Sequence, residues 1–275
     1  MENKIEIKNI TKEFEEKKDS FRALNNVSLN IKKGEFISIL GPSGCGKSTL
    51  LSIVEGLSEP TQGEVLIDGK VVHGPGLDRA VVFQNYSLFP WMTAKRNIAY
   101  GIEQVDKQLS RKERNQKAED YLEKVKLSDY GNKYPLQLSG GQQQRVAIAR
   151  ALAMNTEILL MDEPFGALDP RTRHSLQKLL LKLWKSDFSG KKTVLFVTHD
   201  IDEAIYLSDR IVLMKPNPGE IYEILDVPFA RPRKRDKILL TDEYRSLKYK
   251  LTSLFREIED ETDKGVEKYT GKEAV

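Results

Sequence analysis

Nine consecutive residues, Gly41-Pro42-Ser43-Gly44-Cys45-Gly46-Lys47-Ser48-Thr49, keep the spacing G-x-x-x-x-G-K-[ST]. Such a stretch is a phosphate cradle: its glycines let backbone N–H groups approach phosphate oxygens, Lys47 reaches the β- and γ-phosphates, and the Ser48 hydroxyl can ligate Mg²⁺. A second chemical feature is the carboxylate pair Asp162-Glu163, led in by the apolar run Ile158-Leu159-Leu160-Met161. Adjacent side chains cannot both point one way, so the pair divides its work. Asp162 is suited to hold Mg²⁺ through water and Glu163 to orient and deprotonate an attacking water. His199 ends the apolar run Thr193-Val194-Leu195-Phe196-Val197-Thr198, where it can meet a phosphate oxygen or the attacking water; taken alone, it reads equally as a helix cap. Gln84 ends the run Ala80-Val81-Val82-Phe83, the place where α/β sheets meet ligands, although a lone polar loop residue is first a solvated one. Ser139-Gly140-Gly141 opens a helix and makes a second anion site with Ser139 and nearby N–H groups as donors; an isolated Ser-Gly-Gly reads first as a cap. Phe14 offers a face for a flat base or fills the core at a strand end, and Phe21 is the other candidate.

The elements that must hold these residues follow from pattern. Phe36-Ile37-Ser38-Ile39-Leu40 is a buried strand leading into the cradle, and Leu50, Leu51, Ile53 and Val54 give the following helix its apolar face. Ile5, Ile7, Val27, Leu29 and Ile31 alternate with polar residues, which predicts half-buried antiparallel strands joined by a charged turn at 15–19. Two more strands flank Asp68-Gly69. From Thr93 to about Gly131 strand signals stop, and a charged helical segment with the capping box Ser110-x-x-Glu113 follows. Asp169 with Pro170 opens a helix whose stripe Leu176, Leu179, Leu180, Leu183, Trp184 is core. The tail begins with Arg231-Pro232-Arg233-Lys234-Arg235, a basic run that could touch anionic lipid but is expected as a solvated charge cluster. Tyr244, Leu247, Leu251, Leu254 and Ile258 predict an amphipathic helix packed on its own domain, and residues 263–275 are expected to fray.

Composition narrows the classes. The 275 residues are 31% charged and 39% hydrophobic, a globular balance large enough for a full core. No apolar window of about 18 residues exists to span a bilayer, and Met1-Glu2-Asn3-Lys4 opens without an apolar signal segment, so a cytoplasmic protein is expected. A net charge of +3 is too weak to imply nucleic acid. The single cysteine, Cys45, has no disulfide partner and reads as a small filler of the phosphate loop.

Taken in order, these motifs resemble the nucleotide-binding subunit of the ATP-binding cassette (ABC) family from Ile5 to about Leu225. The family's nucleotide loop falls at Gly41 to Thr49, its glutamine loop at Gln84, its signature at Leu138-Ser139-Gly140-Gly141-Gln142, its acidic strand at Ile158 to Glu163, its dimer-contact loop at Ala167-Leu168-Asp169 and its switch histidine at His199. Phe14 falls at the adenine-stacking position. A finer resemblance, to import ATPases of the nitrate, sulfonate and taurine branch, is carried by His73 to Gln84, Leu88-Phe89-Pro90-Trp91, Met161 to Asp169 and Val227 to Arg233. Members of that branch also serve bicarbonate or pyrimidine precursors of thiamine.

The resemblance implies an α/β fold: a P-loop NTPase core with a mostly parallel sheet (1–86 and 158–230) bearing an antiparallel β subdomain, an inserted helical signature subdomain (87–157) and a C-terminal helical tail (231–275). It implies two subunits head to tail, with each ATP between Gly41–Thr49 of one chain and Ser139–Gln142 of the other. Ser48 and Gln84 would ligate Mg²⁺ with Asp162 acting through water, Glu163 would activate water and His199 support the γ-phosphate. The implied partners are a membrane permease, gripped near Tyr86 to Trp91, and an extracytoplasmic solute-binding protein, with the subunit peripheral on the cytoplasmic face. The rival classes are a soluble ABC ATPase of nucleic-acid, translation or cofactor-assembly work, disfavoured by the single cassette and the absence of long insertions, and an export ATPase.

Overall fold

The computed structural model describes residues 2–16, 19–186 and 192–270. In chain order the elements are β1 (Asn3–Glu16), β2 (Asp19–Lys32), β3 (Phe36–Leu40), α1 (Lys47–Glu55), β4 (Gln62–Ile67), β5 (Lys70–Val71) and β6 (Arg79–Val82). Then come α2 (Ala94–Val105), α3 (Arg111–Lys124), α4 (Gly140–Ala153), β7 (Ile158–Asp162), α5 (Pro170–Ser186) and β8 (Thr193–Thr198). The chain ends with α6 (Ile201–Leu207), β9 (Arg210–Lys215), β10 (Glu220–Asp226), α7 (Arg235–Ile238) and α8 (Asp242–Thr270). Contacts divide it into two compact units: Met1–Lys32, Phe36–Gly74 and Val197–Val275 form the first, Lys33–Glu35 and Pro75–Phe196 the second.

The first unit holds a four-stranded antiparallel sheet of order β2-β1-β4-β5. Its register sets Ile5 opposite Ile31 and Ile67, and Ile7 opposite Leu29 and Val65. All six are buried, so the alternation seen in the sequence is one sheet face turned inward. Asp68 and Gly69 both take positive φ (50° and 73°), the backbone a two-residue hairpin loop requires. The same unit contains β3 paired parallel to β9, with β10 antiparallel on the other side of β9. Every residue of β3 is buried, as a strand covered on both faces must be. Part of the expected turn at 15–19 lies outside the described residues.

Two expectations about the tail change. The basic run is not a solvated cluster. Arg233 is 8% exposed, and its guanidinium donates to the carbonyls of Ile205 (3.1 Å), Tyr206 (3.1 Å) and Ser208 (2.6 Å) at the end of α6. Arg231 donates to Asp209 (2.7 Å) and to the Leu207 carbonyl. The last carbonyls of a helix lack intrahelical donors, and a cationic fork answers both their hydrogen-bonding need and the negative helix end. Burial, then the neighbouring Arg231, pulls the Arg233 pKa down to about 10, which leaves it charged at neutral pH. Nor does the last helix fray at 263: α8 continues to Thr270, with Tyr244, Leu247, Leu251 and Ile258 buried along its stripe. Residues 271–275 lie outside the described residues.

In the second unit β6 pairs parallel with β7, placing Val82 beside Met161, and β8 follows on the far side of β7. Helices α2, α3 and α4 pack on one another, and Ser110 and Glu113 form the expected capping box of α3. A residue without any sequence signal holds the segment before α2. Asn97 is fully buried; its oxygen accepts from Phe89 N (2.9 Å) and its amide faces the carbonyls of Phe89 (3.2 Å), Met92 (3.0 Å) and Thr93 (3.1 Å). Removing it leaves the part-buried Phe89 N–H and Met92 carbonyl without this partner, each costing about 1–3 kcal/mol, while the Phe89 and Thr93 carbonyls keep the N–H groups of Met92 and Asn97. Asn97→Ala is therefore expected to lower unfolding stability in urea by about 3 kcal/mol and to speed hydrogen exchange of the Phe89 amide. Wild-type exchange there would show that the loop holds itself.

Candidate active site

In the first unit, β3 delivers the chain at Leu40 into the glycine loop, and α1 opens on Lys47. Lys47 is only 6% exposed, and its Nζ donates to the carbonyls of Gly41 and Pro42, each at 2.8 Å, so the loop is wrapped around its own lysine. Cys45 is fully buried below it with Sγ 3.8 Å from Nζ, and burial pushes its thiol pKa up, which suits a filler. Gly46 has φ +86°, and a Cβ there would come within 2.5 Å of a Leu24 methyl and 2.9 Å of the Ala23 carbonyl. A Cβ on Gly41 would meet both Cys45 Sγ and the Met214 carbonyl at 2.6 Å. The loop is thus pinned between β2 and β9 in a shape only glycine permits.

Gly46 is the N-cap of the nine-residue α1 and offers no side chain of its own to the first-turn N–H groups. With Lys47 beside them, this end of the helix suits a polyphosphate. Pro42, Gly46 and Thr49 are half-buried, and Ser43, Gly44 and Ser48 are exposed.

Phe14 is 43% exposed, which excludes the core reading, and it stands directly opposite Phe21, itself 52% exposed. Directly opposed residues of an antiparallel pair project from one face, so both rings lie on the same side, with the Lys12 ammonium 5.0 Å from the Phe14 centroid. His199 is exposed in the turn between β8 and α6. It is not the helix cap: Asp200 Oδ1 accepts from Glu203 N at 3.0 Å. Thr198 Oγ1 donates to the buried Glu203 carboxylate at 2.7 Å and accepts from Asp200 N at 3.0 Å, so the turn carrying His199 is fastened on both sides.

In the second unit Gln84 is exposed just past β6. The next turn has Tyr86 and Ser87 at positive φ (59° and 45°), held by Arg150 of α4, which donates to the Ser87 carbonyl at 2.8 Å and the Tyr86 carbonyl at 3.4 Å. A Cβ on Gly140 would lie 3.1 Å from the Tyr86 hydroxyl, and one on Gly141 would lie 2.6 Å from a Thr172 methyl. The first turn of α4 therefore touches the glutamine loop on one side and the start of α5 on the other. Ser139 Oγ accepts from Gln142 N (3.3 Å) while Gln142 Oε1 accepts from Ser139 N (2.9 Å), a reciprocal cap.

β7 is buried up to Met161; Asp162 and Glu163 emerge half-buried, and Glu163 has φ +39°. A non-glycine residue in that region is strained, and such strain clusters where a side chain must be aimed. Asp169 Oδ1 accepts from the N–H groups of Arg171 (3.1 Å) and Thr172 (3.0 Å), and the bonds from Thr172 hold its carboxyl below the ordinary range. A cleft of about 480 Å³ lies here, lined by Ser139, Gly141, Gln142, Arg145, Asp169 and Thr172. Sequence reasoning missed Arg150 and Asn97, whose partners are main-chain atoms and leave no spacing to read.

A parallel strand running into a glycine loop with its lysine at a helix N-terminus, together with a strand ending in paired carboxylates, defines a P-loop nucleotide-hydrolysing protein. Residues 24–166 match the family described as ABC transporter. The chain is 51% identical over 238 residues to an uncharacterised ABC transporter ATP-binding protein of Methanocaldococcus jannaschii, covering 86% of this chain and 87% of that one. It is 47% identical over 253 residues to the bicarbonate transport ATP-binding protein CmpD of Synechocystis sp. (91% and 89% covered), and 46% identical over 256 residues to the nitrate import ATP-binding protein NrtD of Synechococcus elongatus (92% of each). Among solved structures, a dimeric ATP-binding cassette in a post-hydrolysis state bound to ADP and Pi superposes with a TM-score of 0.74 at 40% identity, covering 82% of this chain and all of that one. The chain belongs to the ABC transporter family and is one of its ATPases.

The pinned loop generates a prediction. Gly46→Ala collides with Leu24 and Ala23 and must move the loop, so nucleotide affinity is expected to fall at least about tenfold. Gly44→Ala, with φ +79° but open space around it, is expected to cost only the left-handed backbone penalty of about 1–2 kcal/mol. Titration with a fluorescent ATP analogue ranks the two, and equal losses would remove the steric argument.

Proposed function

We propose that the chain is the ATP-hydrolysing subunit of an importer for a small inorganic anion of the nitrate or bicarbonate class. The observation that carries this reading is the 46–47% identity, over about nine-tenths of both chains, to CmpD and NrtD. No helix among the described residues is long and apolar enough to cross a membrane, and the reading assigns the path to a separate permease, with the ATPase peripheral on the cytoplasmic face and a solute-binding protein outside. The exposed Trp91 and the Phe89 ring packed against it at 5.5 Å between centroids are the surface we assign to a permease helix, next to Gln84 in sequence. The helical segment 87–157 is then the piece that moves with the permease.

The residue roles are those the family resemblance implies, and each suits the chemistry of its side chain. Lys47 and the loop amides bind the phosphates, and Phe14, with Phe21 on the same face, stacks on the base. Ser48 hydroxyl, Gln84 amide oxygen and Asp162 carboxylate are each hard oxygen donors of the kind Mg²⁺ takes, and the resemblance has Asp162 act through water. Mg²⁺ held by them would neutralise phosphate charge. Glu163 accepts the proton of the attacking water, and His199 donates a hydrogen bond to the γ-phosphate. Ser139, Gly140, Gly141 and Gln142 serve the nucleotide held by a second subunit, with Asp169 in the contact between the two. The dimeric state of the solved cassette supports that arrangement.

Glu163→Gln keeps the shape but removes the base, so turnover is expected to fall by about 100-fold or more with ATP affinity retained. The same variant with ATP should sediment as a dimer, and a monomer at high protein and ATP would break the two-subunit site. For the solute, the complex with its permease and binding protein is expected to show ATPase stimulation by nitrate or bicarbonate. Stimulation by taurine alone would overturn the anion class.

A further inference from the structure

The tail from Val227 onward lies beyond the residues matched to the family, and its contacts converge on one short helix. That helix, α6, begins at Ile201, directly after His199 and Asp200. At its first turn Asp202 receives two donors from α8: the Tyr244 hydroxyl at 2.5 Å and the Lys248 ammonium at 2.8 and 3.0 Å to its two oxygens. At its last turn the carbonyls of Ile205, Tyr206, Leu207 and Ser208 are taken by Arg231 and Arg233. The Arg235 guanidinium sits 5.2 Å from the Tyr206 ring centroid, and Phe229 packs on Tyr244 at 6.4 Å between ring centroids. The tail is itself moored to β10 through Lys250 and Glu223 at 2.6 Å. Between α6 and His199 the links are as short: Glu203, the neighbour of Asp202, accepts from Thr198, and Asp200 caps the helix.

We infer that the C-terminal segment is a clamp that fixes α6 at both ends, and that Asp202 is a positioning residue that sets where His199 stands during hydrolysis. A seven-residue helix is below the length that holds itself in water, so its orientation comes from tertiary contacts, and here those contacts are made by the tail. His199 is exposed on the two-residue turn that leads into this helix. A shift of the helix therefore shifts the turn, and small displacements of a reacting group cost large factors in rate. Burial alone would raise the Asp202 pKa, but the bonds from Lys248 and Tyr244 hold it below the ordinary range, while burial and Asp202 push the Tyr244 phenol up. The Asp202 acceptor and the Tyr244 donor are thus each held in the protonation state the clamp needs.

The inference rests on His199 acting at the γ-phosphate, and a double-mutant cycle in the full chain separates the two. Asp202→Ala and, from the other side, Tyr244→Phe with Lys248→Met are each expected to lower kcat about tenfold with KM for ATP within about twofold. Asp202→Asn, which still accepts from Tyr244, should recover most of the loss. In a His199→Ala background the same changes are expected to bring no further fall, because their effect passes through the missing ring. An equal loss in that background, or unchanged kcat in both folded clamp variants, overturns the inference. Wild-type turnover of His199→Ala alone would remove the role of His199 and the catalytic half of the inference with it. Hydrogen exchange over 198–207 then reads the clamp independently: faster exchange in the clamp variants is expected, and unchanged exchange overturns the clamp itself.

Discussion

A buried ammonium is the constraint on which the nucleotide half of this molecule depends. Lys47 stands nearly enclosed with its charge resting on the carbonyls of Gly41 and Pro42. Taking a lysine out of water is costly unless partners replace the water, and two main-chain carbonyls do so only while the loop keeps its curl. The curl in turn depends on Gly46 lying against Ala23 and Leu24, and on Gly41 lying against Met214. Strands far apart in the chain therefore hold open a positively charged ring for phosphate, which explains why the loop follows a fully buried strand. A loop on a mobile support would close on its own lysine differently each time.

The second unit solves a different problem with the same means. The first turn of α4 needs small residues because it packs on two segments: Gly140 faces the Tyr86 hydroxyl, in the turn after Gln84, and Gly141 faces Thr172, in the first turn of α5. Packed surfaces transmit displacement directly, so a shift of either segment would reach Ser139–Gln142 by contact. The reciprocal cap between Ser139 and Gln142 satisfies that helix end, so a phosphate engaged there, as proposed above, would exchange one set of bonds for another.

How much of this was legible depended on whether the partners lay close in sequence. The phosphate loop, the Asp162-Glu163 strand end, the caps at Ser110 and Ser139 and the Asp68-Gly69 hairpin each carry their geometry in a spacing of a few residues. The alternation of Ile5, Ile7, Leu29 and Ile31 likewise became one sheet face. Asn97 and Arg150 were invisible because they bond to main-chain carbonyls, which every residue has. The basic run 231–235 misled for a related reason: charge alone favours solvent, and only the fold shows that α6 ends where Arg231 and Arg233 arrive. The choice between Phe14 and Phe21 was undecidable locally because cross-strand register, not identity, puts the two rings on one face.

The two halves of the chemistry are anchored in different ways, and the difference follows from what each must do. Lys47 is held by residues of its own loop, and that loop by its strand neighbours, so the bonds that would support a phosphate grip lie within the first unit. His199 is exposed, and the bonds that hold its turn run through Glu203 and Asp200 to α6 and from there to the tail. A grip of the first kind suits binding, which must persist through the cycle. One of the second kind suits a group that must be correct only when hydrolysis occurs, since its accuracy then depends on a contact that another event can strengthen or release. The C-terminal helix, which no nucleotide motif requires, is placed where such an event would act.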